Sequence, residues 1–237
     1  MFIENRQKLA AKLKPRSIAV LNSSDILPGS ADGTRPFVQQ TDIFYLSNID
    51  QEESTLVVFP DAREEKHREI LFLKETSEHI RIWEGDKLAK EEATGLSGVK
   101  TVYWNHQREQ ILTELIFEAE NIYLNTNEHL RAERQVENRD DRFIKRCKDR
   151  LPLHRLERLA PIMHHLRAVK SEEEVKAIGK ACKITEDAFA RVLKFVKPGV
   201  MEYEVEAEIM HEFIRNGSRR PAYDPIAETE YLVEGDL

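Results

Sequence analysis

The stretch SIAVLNSSD, residues 17–25, sets five residues of strand character against a polar turn. β-Branched and apolar side chains suit a pleated, packed surface, and Asn22-Ser23-Ser24-Asp25 is a turn cluster that stops the run, so residues 17–21 read as a strand. Before it, residues 3–13 read as a helix. After it comes a polar loop with Pro28, Gly29, Gly33 and Pro36, then short β-rich runs at 43–46, at 55–59 (stopped by Pro60-Asp61) and at 70–74. Residues 87–93 suit a short helix with Gly95 and Gly98 past its end, and 102–104 and 122–124 are further strands. Between those strands, 107–118 carries Ile111, Leu112, Leu115 and Ile116 at helical spacing. Strands mixed with helices of about ten residues imply a layered α/β domain, and its short and long connections fit a sheet of mixed direction.

The character changes after about residue 140. Leu151-Pro152 interrupts a charged stretch, and 159–166 reads as a short helix behind it. Ser171-Glu172-Glu173-Glu174 is a capping box, in which the serine accepts from the amide three residues on and Glu174 reaches back. Val175, Ile178, Cys182, Thr185, Phe189, Val192 and Val196 then recur at steps of three and four. They predict one buried stripe on a helix ending at Lys197-Pro198-Gly199. A second helix is expected from about 202 to 215, with Val205, Ile209 and Phe213 inward and Asn216-Gly217 as its stop. Two successive helices mark a different unit, with a boundary expected near residue 160.

Of the 237 residues 41% are hydrophobic and 33% charged, which excludes a disordered chain. No apolar run approaches the roughly 18 residues of a membrane span. The first 16 residues read as an amphipathic helix rather than a signal peptide, and two cysteines suit a reducing cytosol, so a cytoplasmic protein is expected. The net charge is −7, yet residues 139–170 carry ten Lys/Arg against four Asp/Glu. Such a stretch could meet phosphate backbones. Interspersed acids, a single aromatic (Phe143) and the lack of a Gly-rich loop favour a solvated connector surface, and no nucleic acid partner is expected.

Spacing alone yields no catalytic site. None of the eight histidines forms a zinc-peptidase pair, and His164-His165 face different sides of a helix. Cys182 sits on the apolar stripe and reads as a buried thiol. Nucleophile elbow, P-loop and dinucleotide fingerprint are all missing.

Several strings nevertheless resemble the Xaa-Pro aminopeptidase (aminopeptidase P) family of the creatinase/prolidase, or pita-bread, metallopeptidases. Ser30-Ala31-Asp32 followed by PFVQQTDIFYL at 36–46 resembles the S-A-D…P-[YF]-x-Q-x-[ST]-D-[FI]-x-Y-[LF] signature of the N-terminal domain. Ile82-Trp83-Glu84-Gly85 is similar to its W-x-G element. LRAVKSEEE at 166–174 resembles the L-R-x-x-K-[ST]-x-x-E opening of the catalytic domain, and PAYDPI at 221–226 its P-[AS]-Y-x-x-I. The strings are collinear over essentially the whole chain.

The resemblance implies a mixed-sheet, creatinase-like N-terminal domain over 1–159. Residues 160–237 would be the first helices of an incomplete pita-bread α+β domain. It implies a hydrolase that releases the N-terminal residue from peptides with proline second, using two Mn²⁺ or similar divalent ions, and a homo-oligomer built through the N-terminal domain. The five family ligands fall beyond residue 237, so no metal is expected on this chain and it is expected to be inactive alone. Ile226 passes to Ala227–Tyr231 without the family's Gly-rich segment and His, and Gly235-Asp236-Leu237 resembles the start of a ligand-bearing strand. Three residues are implied by position: Trp83 and Asp32 on the wall of a neighbouring subunit's substrate pocket, and Tyr223 bonding a metal-ligand carboxylate. The competing readings are a non-catalytic scaffold on the same architecture, as in a histone-chaperone subunit or nucleic-acid-associated growth regulators, and a prolidase.

Overall fold

The computed structural model describes residues 1–132, 135–218 and 221–222, and the chain divides into two compact units, Met1–Val169 and Lys170–Leu237. In the first, strands β1 (Ser17–Asn22), β2 (Thr55–Val58), β3 (Glu69–Leu73), β4 (Thr101–Trp104), β5 (Asn121–Leu124) and β6 (Arg155–Arg158) form one sheet. Their order is β4-β3-β2-β1-β5-β6. β2 runs antiparallel to both neighbours, while the β1–β5, β5–β6 and β3–β4 pairs are parallel, so the sheet is mixed.

The period-2 geometry of β1 decides where the core sits. Ile18 and Val20 point to one face and meet Val57, Ile70, Phe72 and Ile122. Ala19 and Leu21 point to the other and meet Leu56, Val58, Leu71 and Tyr123. With both faces covered, all six β1 residues are buried and residues 18–21 form an unbroken apolar run. Helices α1 (Phe2–Ala10), α2 (Thr41–Ser47), α4 (Lys90–Ser97) and α7 (Ala160–Ala168) cover the second of these faces through Leu9, Ile43, Leu46, Ala93 and Met163. Helices α5 (Asn105–Glu118) and α6 (Arg139–Arg150) cover the first through Leu112, Leu115, Ile116 and Cys147. Short α3 (Glu78–Glu84) lies between β3 and α4 in the chain.

A fully buried Arg6 ties the helical layer together. Its Nη1 donates to Leu46 O (2.8 Å) and Ser97 O (2.9 Å), the carbonyl ends of α2 and α4, and its Nε donates to Glu69 Oε2 at 2.9 Å. The arginine thus supplies donors to carbonyls that helix ends leave over. Gly98 closes α4 at φ +74°, where a Cβ would strike Ile3 at 2.6 Å.

Several expectations change. Residues 43–46 are not a strand but the body of α2. Gln40 Oε1 caps Asp42 N (2.6 Å) and Ile43 N (3.0 Å), and Asn48 closes the helix in the left-handed region. α4 runs through Gly95 and stops at Gly98 instead. Residues 139–158, read as a connector, hold α6 and β6. Phe143, Ile144 and Cys147 face the core, while Arg142, Arg146 and Arg158 pair with Asp25, Glu109 and Glu128. α7 packs with the first unit, and the break in compactness follows it.

In the second unit, α8 (Glu172–Phe195) and α9 (Glu202–Arg215) form a helical pair. Ser171 Oγ accepts from Glu174 N at 3.3 Å and Glu174 Oε2 from Ser171 N at 2.8 Å, so the capping box is present. Ala188 and Val205 are the buried residues of the two helices, and Arg191 pairs with Glu208 and Glu212. The expected buried stripe is exposed at Val175, Ile178, Phe189 and Val196, and Cys182 is an exposed thiol, not a buried one. Periodicity marks an apolar face; it does not supply the element that covers it.

Candidate functional site

Trp83 stands on α3, a seven-residue helix without an apolar periodicity of its own. Ser77 Oγ caps it by accepting from Ile80 N (3.2 Å), and Gly85 at φ +82° ends it. Its last residue is held by charge: Glu84 Oε2 lies 3.0 Å from Lys74 Nζ and 3.6 Å from Lys87 Nζ. The Lys74 contact is the main reason that Glu84 titrates below the ordinary carboxylate range. Lys87 also reaches Glu52 at 2.5 Å, with both side chains nearly buried. From this anchored base the indole of Trp83 is 76% exposed, touched by the His79 ring one turn back at 6.4 Å between centroids. An exposed tryptophan on a tethered helix is a rigid apolar probe with one N–H donor.

Asp32 sits in a tight loop. Gly29 N donates to Gly33 O (2.7 Å), Gly33 N to Ser30 O (2.9 Å) and Arg35 N to Leu27 O (2.9 Å), and Ala31 takes φ +52°. The Asp32 side chain is exposed, with no hydrogen bond to a described residue. No hydrogen bond or ion pair joins Asp32 to Trp83 among the described residues. Tyr223 lies outside the described residues.

The quoted strings do more than carry resemblance. Buried Gln39 donates to Ile49 O and Gln51 O (3.0 Å each), while its Oε1 accepts from Gln40 N at 2.8 Å. Asp42 accepts from Arg167 Nη1 (2.7 Å), Asn125 Nδ2 (3.1 Å) and Gln40 Nε2 (3.2 Å). Tyr45 Oη donates to Leu166 O at 3.2 Å. The 36–46 string and the head of the 166–174 string therefore meet at α2 and α7. Among the described residues no three His, Cys, Asp or Glu side chains are placed to hold a metal ion, so these residues do not fit a two-ion centre. No helix among them is long and apolar enough to cross a membrane.

Comparison with known proteins agrees with this layout. Residues 2–123 match the aminopeptidase P N-terminal domain, and residues 176–230 match metallopeptidase family M24. The Xaa-Pro aminopeptidase of Escherichia coli K12 is 29% identical over 227 residues, which are 95% of this chain and 51% of that protein. The Xaa-Pro aminopeptidase of Haemophilus influenzae is 25% identical, over 95% of this chain and 50% of that one. Among solved structures, zinc-substituted E. coli aminopeptidase P in complex with product superposes with a TM-score of 0.78 at 28% identity, over 94% of this chain and 50% of that one. Proline aminopeptidase P II from Yersinia pestis gives 0.77 at 29%, over 94% and 51%. The chain thus spans about half the length of the relatives it matches. With its N-terminal 122 residues matched as a domain and the M24 region following in order, the chain belongs to the aminopeptidase P family.

Proposed function

We propose that the chain forms the N-terminal domain and opening helices of a metal-dependent Xaa-Pro aminopeptidase, a hydrolase that releases the N-terminal residue of peptides with proline second. In this reading residues 1–159 are the N-terminal domain and 160–237 open the pita-bread domain. The observation that carries it is the anchored, exposed Trp83. A scaffold has no use for a bare indole on a tethered arm, whereas a proline ring is a good partner for an aromatic face. Asp32, exposed on its own loop, joins Trp83 as a substrate-wall residue reaching a neighbouring subunit, and Tyr223 orients a metal-ligand carboxylate.

The reading extends to a cytoplasmic homo-oligomer assembled through the N-terminal unit, with two Mn²⁺ as the ions. Such ions would supply an activated water and charge stabilisation at the scissile carbonyl, and oxygen-rich ligation suits Mn²⁺. The test is hydrolysis of a Xaa-Pro-Xaa peptide by the complete gene product with Mn²⁺. Release of the free first residue, with Trp83→Ala raising KM at unchanged metal content, is expected. An unaltered KM removes Trp83 from the pocket, and a metal-loaded protein with no turnover decides for the scaffold reading.

A further inference from the structure

Helix α3, which carries Trp83, is held at both ends by one ring of alternating charge. Lys74, just past the end of β3, lies 3.0 Å from Glu84 and 3.7 Å from Glu52. Lys87, beyond the helix, lies 3.6 Å from Glu84 and 2.5 Å from Glu52. The two lysines thus stand before and after α3, and each bridges the same two carboxylates. Glu84 belongs to the arm, whereas Glu52 belongs to the turn ahead of β2. Glu53 adds a further carboxylate 3.6 Å from Lys74.

Glu52 is the inner corner of the ring. Its side chain is 9% exposed and that of Lys87 11%, against 45% for Glu84. Ion pairs this sheltered are screened little by salt, and removing one member leaves the remaining charge desolvated and unpaired. The turn that presents Glu52 is itself fixed. Glu53 adopts φ +53°, a conformation uncommon for a residue with a side chain, and its carbonyl accepts from Asn105 Nδ2 at 2.6 Å. Gln51 O accepts from the buried Gln39 Nε2 (3.0 Å) and from Ser54 Oγ (2.8 Å). Gln51 Oε1 accepts from Leu88 N at 2.8 Å, which pins the chain one residue past Lys87. A rigid turn of the first unit therefore grips the segments on both sides of α3.

We propose that Glu52 is a positioning residue for substrate binding: through Lys74, Lys87 and Glu84 it fixes the α3 arm, so that Trp83 is offered to the peptide in one place. The inference rests on the reading of Trp83 as a pocket residue. An indole held in place beforehand loses little freedom when a proline ring packs on it, and a loose arm gives up part of that binding energy to ordering. Glu52 acts only through the arm.

The test pairs kinetics with fluorescence. In the complete gene product with Mn²⁺, hydrolysis of a Xaa-Pro-Xaa peptide is compared for Glu52→Gln, Trp83→Ala and the two combined. Trp83→Ala is expected to raise KM about threefold to tenfold, the effect of losing one aromatic contact. Glu52→Gln should raise KM within that range, with kcat and metal content retained. The combined variant should be no worse than Trp83→Ala alone, because both changes remove the same interaction. The 237-residue chain supplies the second readout. It holds two tryptophans, Trp83 and Trp104, so in a Trp104→Phe background the time-resolved anisotropy of Trp83 reports the arm. Glu52→Gln should add nanosecond motion there. With KM raised in Trp83→Ala, an unchanged KM or an unchanged anisotropy in Glu52→Gln overturns the role of Glu52 and leaves Trp83 in the pocket. Additive KM increases, or a fall in kcat, overturn it too, since Glu52 would then act elsewhere. An unaltered KM in Trp83→Ala instead removes the pocket reading, and the positioning role with it. Should Glu52→Gln fail to fold, Glu84→Gln, at the exposed corner of the ring, carries the same expectations.

Discussion

Arg167 Nη1 lies 2.7 Å from Asp42 Oδ1, joining α7 to the first turn of α2 across 125 residues of sequence. Asp42 is nearly buried and also accepts from Asn125 and Gln40, so a single carboxylate gathers the end of β5, the cap of α2 and the last turn of α7. This junction explains why α7 packs within the first compact unit, Met1–Val169, although the run of successive helices suggests a boundary near residue 160.

Asp42→Ala should therefore lower the stability of the first unit by about 2 kcal/mol, because it strands a charged donor and a buried amide at once. Arg167→Ala should cost less, about 1 kcal/mol, since its side chain is more exposed and Asp42 keeps two neutral donors. Urea unfolding curves of the two variants test the order. Equal losses would mean that the Asp42–Arg167 pair accounts for the whole effect and that Asn125 contributes nothing.

Arg6 makes a sharper case. Replacing it with Met keeps the volume but leaves two helix-end carbonyls and Glu69 without a donor, and the expected loss is about 3 kcal/mol. Arg6→Lys should recover only part of it, because an ammonium cannot reproduce the planar fork that reaches three acceptors. A lysine variant as stable as the unmodified protein in urea would show that charge alone, and not the fork, holds α1 to α2, α4 and β3.

These residues also show where the sequence was readable. β1 to β5 are legible because they are short, apolar or aromatic runs bounded by polar and turn residues. α2 was misread because a two-turn helix of four apolar or aromatic residues looks like a strand until Gln40 is recognised as its cap. α6 was hidden by charge, although Phe143, Ile144 and Cys147 at steps of one and three were the signal of an inward face. Asp32 and Trp83 were legible only through resemblance. Their exposure follows from loop geometry and from ion pairs among Glu52, Lys74, Glu84 and Lys87, none of which has a local sequence signature. Asp42, Gln39 and Arg6 escaped for a related reason: a buried polar residue is defined by partners far away in the chain.

The two cysteines should react very differently. Cys147 is buried on the inner face of α6 and its thiol is pushed up to about 11 by desolvation, whereas Cys182 is exposed on α8. Only the thiolate is nucleophilic. One thiol per chain is therefore expected to react with Ellman's reagent in the native protein, at a rate about a hundredfold or more above the second. Peptide mapping should place the fast label on Cys182. Rapid labelling of both would mean that the α6 face of the core opens readily.

Asp140 makes stability depend on pH in the direction opposite to most carboxylates. Its carboxyl is raised from 3.8 to about 7 by burial, so the folded state keeps a proton that the unfolded state gives up above about pH 4. Stability from this group is full below that point, declines between about pH 4 and pH 7, and is level above. Glu84 and Glu109 are shifted the other way by Lys74 and Arg146, and their contributions fade as the solution is acidified. A single pH profile mixes the two trends; a difference between variants separates them. Asp140→Asn fixes the neutral form, so it should be more stable than the unmodified protein above pH 7 by an amount on the order of 4 kcal/mol. That gap should close as the pH falls towards 4. Parallel urea midpoints for the two proteins across this range would show that Asp140 is ionised in the fold, with Arg139 and the Asn22 donors outweighing its burial.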